Sequence, residues 1–235
     1  MKILIFVAHP DDEVLGMGGT ILRHSQKGDY VKVVYLATGI TSRRSSNYYN
    51  NLSYEHESDQ KLIQKQIEDL RKNAKKSCKI LKIKETKFYD FPDNEMDNIP
   101  LLKIVKTIEK EIHITKPDKI YTHHYYDLNI DHKIVFNAVL TACRPNVSSA
   151  NELIMFEVPS STEWNYPSYF NPNYFVNIKS QLSSKVKAIQ AYKNEIRNFP
   201  HPRSIKNLKN IAERWGSVSG NYAAEAFEIV RKIEK

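Results

Sequence analysis

The sequence predicts an α/β protein, three-layered with a mostly parallel sheet, on three observations. The chain opens with an apolar run, Ile3 to Ala8, that reads as a buried strand and stops at a polar turn. Strand-like and helix-like stretches then alternate along the chain, the pattern of β-α-β units. A second short strand, 118–122, also ends in a patch of imidazoles and carboxylates. Parallel strands would bring both patches to one edge of the sheet, where open α/β folds bind their ligands.

Taken in order, strands are expected at 2–7, 31–37, 86–90, 118–122, 152–157 and 173–178. Helices are expected at 17–27, 59–82, 99–116, 131–143, 179–194, 204–215 and 221–233. Gly16, Gly18 and Gly19 follow the first strand, but they lack the spacing of a dinucleotide loop, and the carboxylates ahead of them would repel a pyrophosphate. Their smallness instead lets the first helix pack close to the sheet. In the second helix Leu62, Ile67, Leu70, Ala74, Cys78 and Leu81 supply an inward face. The segment 38–57 is polar and carries Tyr48, Tyr49 and Tyr54; a loop of that length is functional or disordered. No repeat or linker interrupts the chain, so residues 1–235 are expected to form a single domain.

Composition narrows the class. The net charge is +8, and between Lys61 and Lys87 ten Lys/Arg face three acids. Helical spacing places these cations on a solvated face, and no aromatic side chains interleave them as single-strand nucleic-acid binding would need. Nucleic acid is therefore not an expected partner. No run of 18 apolar residues offers a membrane span. Cys78 and Cys143 read as free core thiols, which implies a cytoplasmic protein. A homo-oligomer is left open.

The chemistry is concentrated in two clusters. His9-Pro-Asp-Asp-Glu13 puts one imidazole and three carboxylates within five residues at the end of a strand. Carboxylates crowded in this way repel one another unless a cation, a proton or a donor offsets them. A bare Asp-Asp-Glu could simply cap a helix. Downstream, however, His123, His124, Asp127, Asn129, Asp131 and His132 fall within ten residues. Two imidazoles and a carboxylate with open positions match a catalytic zinc site. His123 and His124, taken singly, read equally as satisfied neighbours in the strand-end loop.

His9-Pro-Asp-Asp-Glu13 together with Asp127-x-Asn-x-Asp-His132 resembles the zinc-dependent N-deacetylases of the PIG-L/LmbE-like family. Phe91-Pro-Asp-Asn94, His201-Pro-Arg-Ser204 and Ala224-Glu-Ala-Phe227 extend the resemblance over nearly the whole chain. It implies a Rossmann-like fold and a Zn2+ ion held by His9, Asp12 and His132, a nitrogen and oxygen set that also accepts other divalent transition metals. It also implies that Asp11 is the catalytic carboxylate, and Asp131 is a candidate to orient a ligand or the local turn. The implied reaction is hydrolysis of the acetamide of an N-acetylated amino sugar, nucleotide- or lipid-linked sugars and glycoconjugates included.

One departure stands out. Several relatives carry a histidine where this chain has Asn129, and an amide donates a hydrogen bond to an oxyanion but supplies no proton. Either Asp11 makes both proton transfers or His201, in a loop between two expected helices, makes one. Arg203 beside it could hold a substrate anion or hydroxyl, or pair with an acid such as Glu225. Trp164, Tyr166, Tyr169 and Phe170 could stack on sugar rings or pack on their own core. Two other readings remain: a metalloprotein of this fold with another chemistry or none, and a basic module that binds an anionic polymer.

Overall fold

The computed structural model describes residues 1–40, 57–167 and 169–234. Most of the expected 38–57 loop therefore lies outside the described residues. The sheet has seven strands in the order β3-β2-β1-β4-β5-β7-β6. They are β1 (Lys2–Val7), β2 (Tyr30–Ala37), β3 (Glu85–Phe91), β4 (Lys119–His123), β5 (Glu152–Phe156), β6 (Tyr174–Asn177) and β7 (Ala224–Lys232). The first five pair in parallel, while β7 runs antiparallel to both β5 and β6. The helices are α1 (Asp12–Gln26), α2 (Glu57–Ile80), α3 (Leu101–Thr115), α4 (Ile130–Ala142), α5 (Leu182–Ile189) and α6 (Ile205–Ser219).

Alternation along β1 builds the three layers. Ile3, Ile5 and Val7 point into a core shared with α1, α2, α5 and α6, whereas Leu4, Phe6 and Ala8 point into one shared with α3 and α4. From β1 the chain winds outward to β2 and β3, then returns to start β4 on the other side of β1. The order of strands thus reverses between β1 and β4, and a crevice opens at their carboxyl ends.

Three expectations are corrected. Residues 221–233, expected as a helix, do not form one. They form β7, which sits between β5 and β6 and pairs with both. Alternation decides it: Ala224 and Ala226 face Trp215, and Phe227 faces the larger core. The helix expected over 179–194 is confined to Leu182–Ile189. Leu62 is exposed, and Ile63, one helical turn before Ile67, takes its inward place. Among the described residues no helix is long and apolar enough to cross a membrane.

α1 begins five residues earlier than expected, so Asp12 and Glu13 lie in its first turn. It kinks at Met17 (φ −143°, ψ 24°), which frees backbone N–H groups in its middle. The Glu225 carboxylate of β7 accepts two of them, from Gly19 at 2.9 Å and Thr20 at 2.6 Å, and Lys185 neutralises it at 2.6 Å. Before the kink, α1 presses against β5. A Cβ at Gly16 would lie 2.3 Å from Phe156 Cδ2 and 2.8 Å from the Glu157 carbonyl oxygen. Gly16→Ala is therefore expected to destabilise the fold by about 1–3 kcal/mol, read as a lower urea midpoint. An unchanged midpoint would show that this contact relaxes freely.

Candidate metal centre

The ends of β1 and β4 are joined by one hydrogen bond: the Ala8 N–H donates to His123 Nε2 at 2.8 Å. This fixes His123 as an acceptor on that nitrogen, and burial and the neighbouring His132 hold its pKa well below the usual imidazole range. Past Ala8 the chain turns sharply. Asp11 takes φ 127°, a conformation rare for a side-chain-bearing residue. Its N–H donates to Glu13 Oε2 at 3.1 Å, and Tyr192 Oη donates to the other oxygen at 2.7 Å. Glu13 is buried, and burial raises its pKa to about 7.

This turn aims Asp12 inward. Its Oδ2 accepts the His9 N–H at 2.8 Å and lies 3.5 Å from His9 Nδ1, 3.3 Å from His132 Nε2 and 3.5 Å from His123 Nε2. One ligand atom from each of His9, Asp12 and His132 falls within 4.8 Å of the others. Asp12 Oδ1 and His132 Nε2 are buried and make no hydrogen bond, so Asp12 Oδ1, and His132 Nε2 once it gives up its proton, each offer a lone pair to a cation. Burial disfavours charge on His132, but Asp12 and Asp127 outweigh it and raise its pKa to about 9. A proton so held is what a divalent metal displaces. Two imidazole nitrogens and a carboxylate oxygen suit zinc, and the residues fit the group.

The surrounding carboxylates orient the imidazoles. Asp127 Oδ1 lies 3.2 Å from His132 Nδ1, and the Ser161 and Thr162 hydroxyls donate to Asp127. Asp131 Oδ2 and Asp93 Oδ1 lie 3.0 and 2.9 Å from His9 Nε2. His9, Asp93 and Asp131 thus form a second group of ligating residues on the far side of the same ring. Both Asp131 oxygens already accept backbone N–H groups, from Asn94 at 2.7 Å and Met96 at 3.1 Å. Asp131 therefore serves to hold His9 against the Phe91–Met96 turn, with Nδ1 left facing Asp12.

Beside this cluster is a cavity of about 180 Å³ lined by His9, Asp11, Asp93, Asn94, Asn129, Glu195 and Arg203 among others. Arg203 Nη1 donates to Asp11 Oδ2 at 2.9 Å and lies 3.5 Å from Glu195. The alternative pairing of Arg203 with Glu225 does not form; that carboxylate is paired with Lys185. Burial drives the Asp11 pKa well above the usual carboxylate range, against the pull of Arg203. Asn129 Oδ1 caps α4 by accepting the Asp131 N–H at 2.9 Å, while Nδ2 donates to Asn94 Oδ1 at 2.9 Å. His201 stands outside the residues that line the cavity. Its Nδ1 accepts the Arg203 N–H at 3.1 Å, and its ring meets Trp164. Tyr166 and Tyr169 are exposed, whereas Phe170 packs against Trp215.

Asp93, Glu195 and the part played by Asp127 were not anticipated as site residues. Asp93 and Asp127 belong to motifs visible in the sequence, but nothing local marks Glu195, which reaches the site from beyond α5.

A family model described as GlcNAc-PI de-N-acetylase matches residues 4–143, well over half of the chain. The chain belongs to the PIG-L family. Among proteins similar to this PIG-L member is the diacetylchitobiose deacetylase of Thermococcus kodakarensis, 26% identical over 99% of this chain and 84% of the relative. The N,N'-diacetylchitobiose deacetylase structure from Pyrococcus horikoshii matches with a TM-score of 0.72 at 22% identity, over 98% and 84% of the two chains. The 4-carboxy-2-hydroxymuconate hydratase GalB of Pseudomonas putida matches with a TM-score of 0.73 at 19% identity, over 100% and 98%. Family and relatives support a hydrolytic N-deacetylase; the likeness to the hydratase extends to the fold alone.

The geometry separates the two adjacent aspartates. Asp12→Asn should weaken zinc binding, because the oxygen facing both imidazoles loses its charge. Asp11→Asn should leave metal content at the wild-type level. Metal analysis of the dialysed variants checks this, and equal loss in both would reverse the assignment.

Proposed function

We propose that this PIG-L protein is a zinc-dependent N-deacetylase that hydrolyses the acetamide of an N-acetylated amino sugar, releasing acetate and a free amine. The observation that carries the reading is the buried Asp11 carboxylate, which is paired to Arg203 in a cavity that His9 of the His9–Asp12–His132 cluster also lines. His9, Asp12 and His132 would hold the metal, which when bound would supply a Lewis acid for the acetyl carbonyl and for acidifying water.

Asp11 then acts as the proton carrier. As a carboxylate it accepts the proton of the attacking water. Burial raises its pKa, so it retains that proton long enough to deliver it to the departing amine. Arg203 works in the opposite direction and keeps enough of the base ionised between turnovers. Asn129 uses one Nδ2 hydrogen on Asn94, which leaves the other for the tetrahedral oxyanion. Asp11 thus makes both transfers, consistent with the absence of an ionisable group at Asn129. The buried free thiols Cys78 and Cys143 support a cytoplasmic setting for this reading.

The test is acetate and free-amine release from a panel of N-acetylated sugars by the zinc-loaded protein. Release in equal amounts is expected, together with loss on chelation and recovery on adding zinc. No release from any sugar would refute the reading and leave a different chemistry on the same fold. Asp11→Asn should lower kcat about 10²–10⁴-fold.

A pH prediction follows from the opposed effects on Asp11. Arg203→Met removes the charge that favours the carboxylate, so the Asp11 pKa rises further. A base with a higher pKa is ionised only at higher pH, so the acidic limb of kcat/KM should move upward. Arg203→Lys should move it less. An unmoved limb in Arg203→Met would separate Arg203 from the base.

A further inference from the structure

One feature outside the cavity is not used by this chemistry. Trp164 ends a 3-10 turn, Thr162–Trp164, and is 45% exposed. The turn beneath it is tightly held. Ser161 and Thr162 are anchored on Asp127, and Glu163 accepts the N–H groups of Ser160 at 2.8 Å and Ser161 at 3.1 Å. Ser160 Oγ accepts from Arg203 Nε at 2.6 Å. The indole is thus mounted on the two residues that flank the reacting centre, Asp127 beside His132 and Arg203 beside Asp11. An aromatic group fixed in place but left uncovered loses little entropy when a ligand stacks on it.

His201 supplies a polar partner. Its ring meets Trp164 edge to face, with centroids 5.8 Å apart at 80°. Because Nδ1 accepts the Arg203 N–H, the ring hydrogen sits on Nε2 and is available as a donor. Burial and the Arg203 and Arg197 cations lower its pKa, which favours the neutral ring. A flat apolar face next to an N–H donor complements a pyranose, which presents C–H groups on its face and hydroxyls around its edge.

We propose that Trp164 and His201 form a saccharide subsite for the sugar ring joined to the reacting N-acetylamino sugar. The preferred substrate is then a disaccharide or larger glycoconjugate, not a free monosaccharide. The assignment of the reacting ring rests on the deacetylase reading, but binding at the subsite requires no turnover. His201 has a binding role here and carries no proton in the reaction.

The chain has two tryptophans, and Trp215 is buried, so exposed-tryptophan fluorescence reports on Trp164. In the zinc-loaded Asp11→Asn protein, N,N'-diacetylchitobiose should shield this indole from iodide at concentrations well below those N-acetylglucosamine needs. His201→Ala should weaken the shielding. In the otherwise wild-type enzyme, Trp164→Ala should raise KM for the two-ring sugar about tenfold with kcat little changed and the one-ring KM unaltered. Trp164→Tyr should restore most of the loss. Shielding without acetate release from any N-acetylated sugar overturns the deacetylase reading and retains the subsite. Acetate release without shielding, or equal effects of Trp164→Ala on one- and two-ring substrates, overturns the subsite and retains the deacetylase. Absence of both signals overturns both.

Discussion

Asp12 Oδ2 accepts the His9 N–H and lies within 3.5 Å of nitrogens on His9, His123 and His132. Through this one oxygen the end of β1, the end of β4 and the first turn of α4 converge. Removing a carboxylate so deeply buried from water is costly unless positive charge surrounds it. His132 and His9 supply that charge, and together they hold the Asp12 pKa well below its usual range despite burial. The need to neutralise Asp12 ties the fold to the proposed chemistry, since the groups that satisfy it are those that could hold a metal.

Around this centre each imidazole is pinned from behind. Asp127 faces His132 Nδ1 and is held by the Ser161 and Thr162 hydroxyls; Asp131 faces His9 Nε2 and is held by backbone N–H groups of the Asn94 turn. Ring orientation is thus decided by elements that make no contact with a reacting atom. The same loops extend to the cavity rim, because Arg203 donates both to Ser160 of that turn and to Asp11. Hydrogen bonds join Asp11, Arg203 and Ser160, and the adjoining Ser161 and Thr162 hydroxyls reach Asp127 beside His132.

α1 carries a comparable constraint. Its first turn must present Asp12 and Glu13 while its small residues lie against β5 and Ile178. The kink at Met17 reconciles these demands at the cost of freed backbone donors, which the Glu225 carboxylate accepts while Lys185 donates to that carboxylate. The Ala224-Glu-Ala-Phe227 motif is therefore a structural counterpart of the catalytic turn, and it holds in place the helix that the turn begins.

That His9, Asp12 and His132 belong together was implied only by the resemblance of their motifs to a family; the sequence by itself determined the parallel half of the sheet and its two strand ends, rich in imidazoles and carboxylates. Those features rest on local information: apolar runs of strand length, helical spacing, and carboxylates and imidazoles a few residues apart. Tertiary structure alone decided that Ala224–Lys232 is a strand, because its helix-favouring composition is overridden by the open edges of β5 and β6. It also decided that Arg203 pairs with Asp11 rather than Glu225, and that Glu195 joins them. Arg203 and Asp11 are separated by 192 positions. No periodicity or motif encodes which of several buried acids a guanidinium will reach; that choice is made by how the α5–α6 connection folds over the carboxyl ends of β1 and β4.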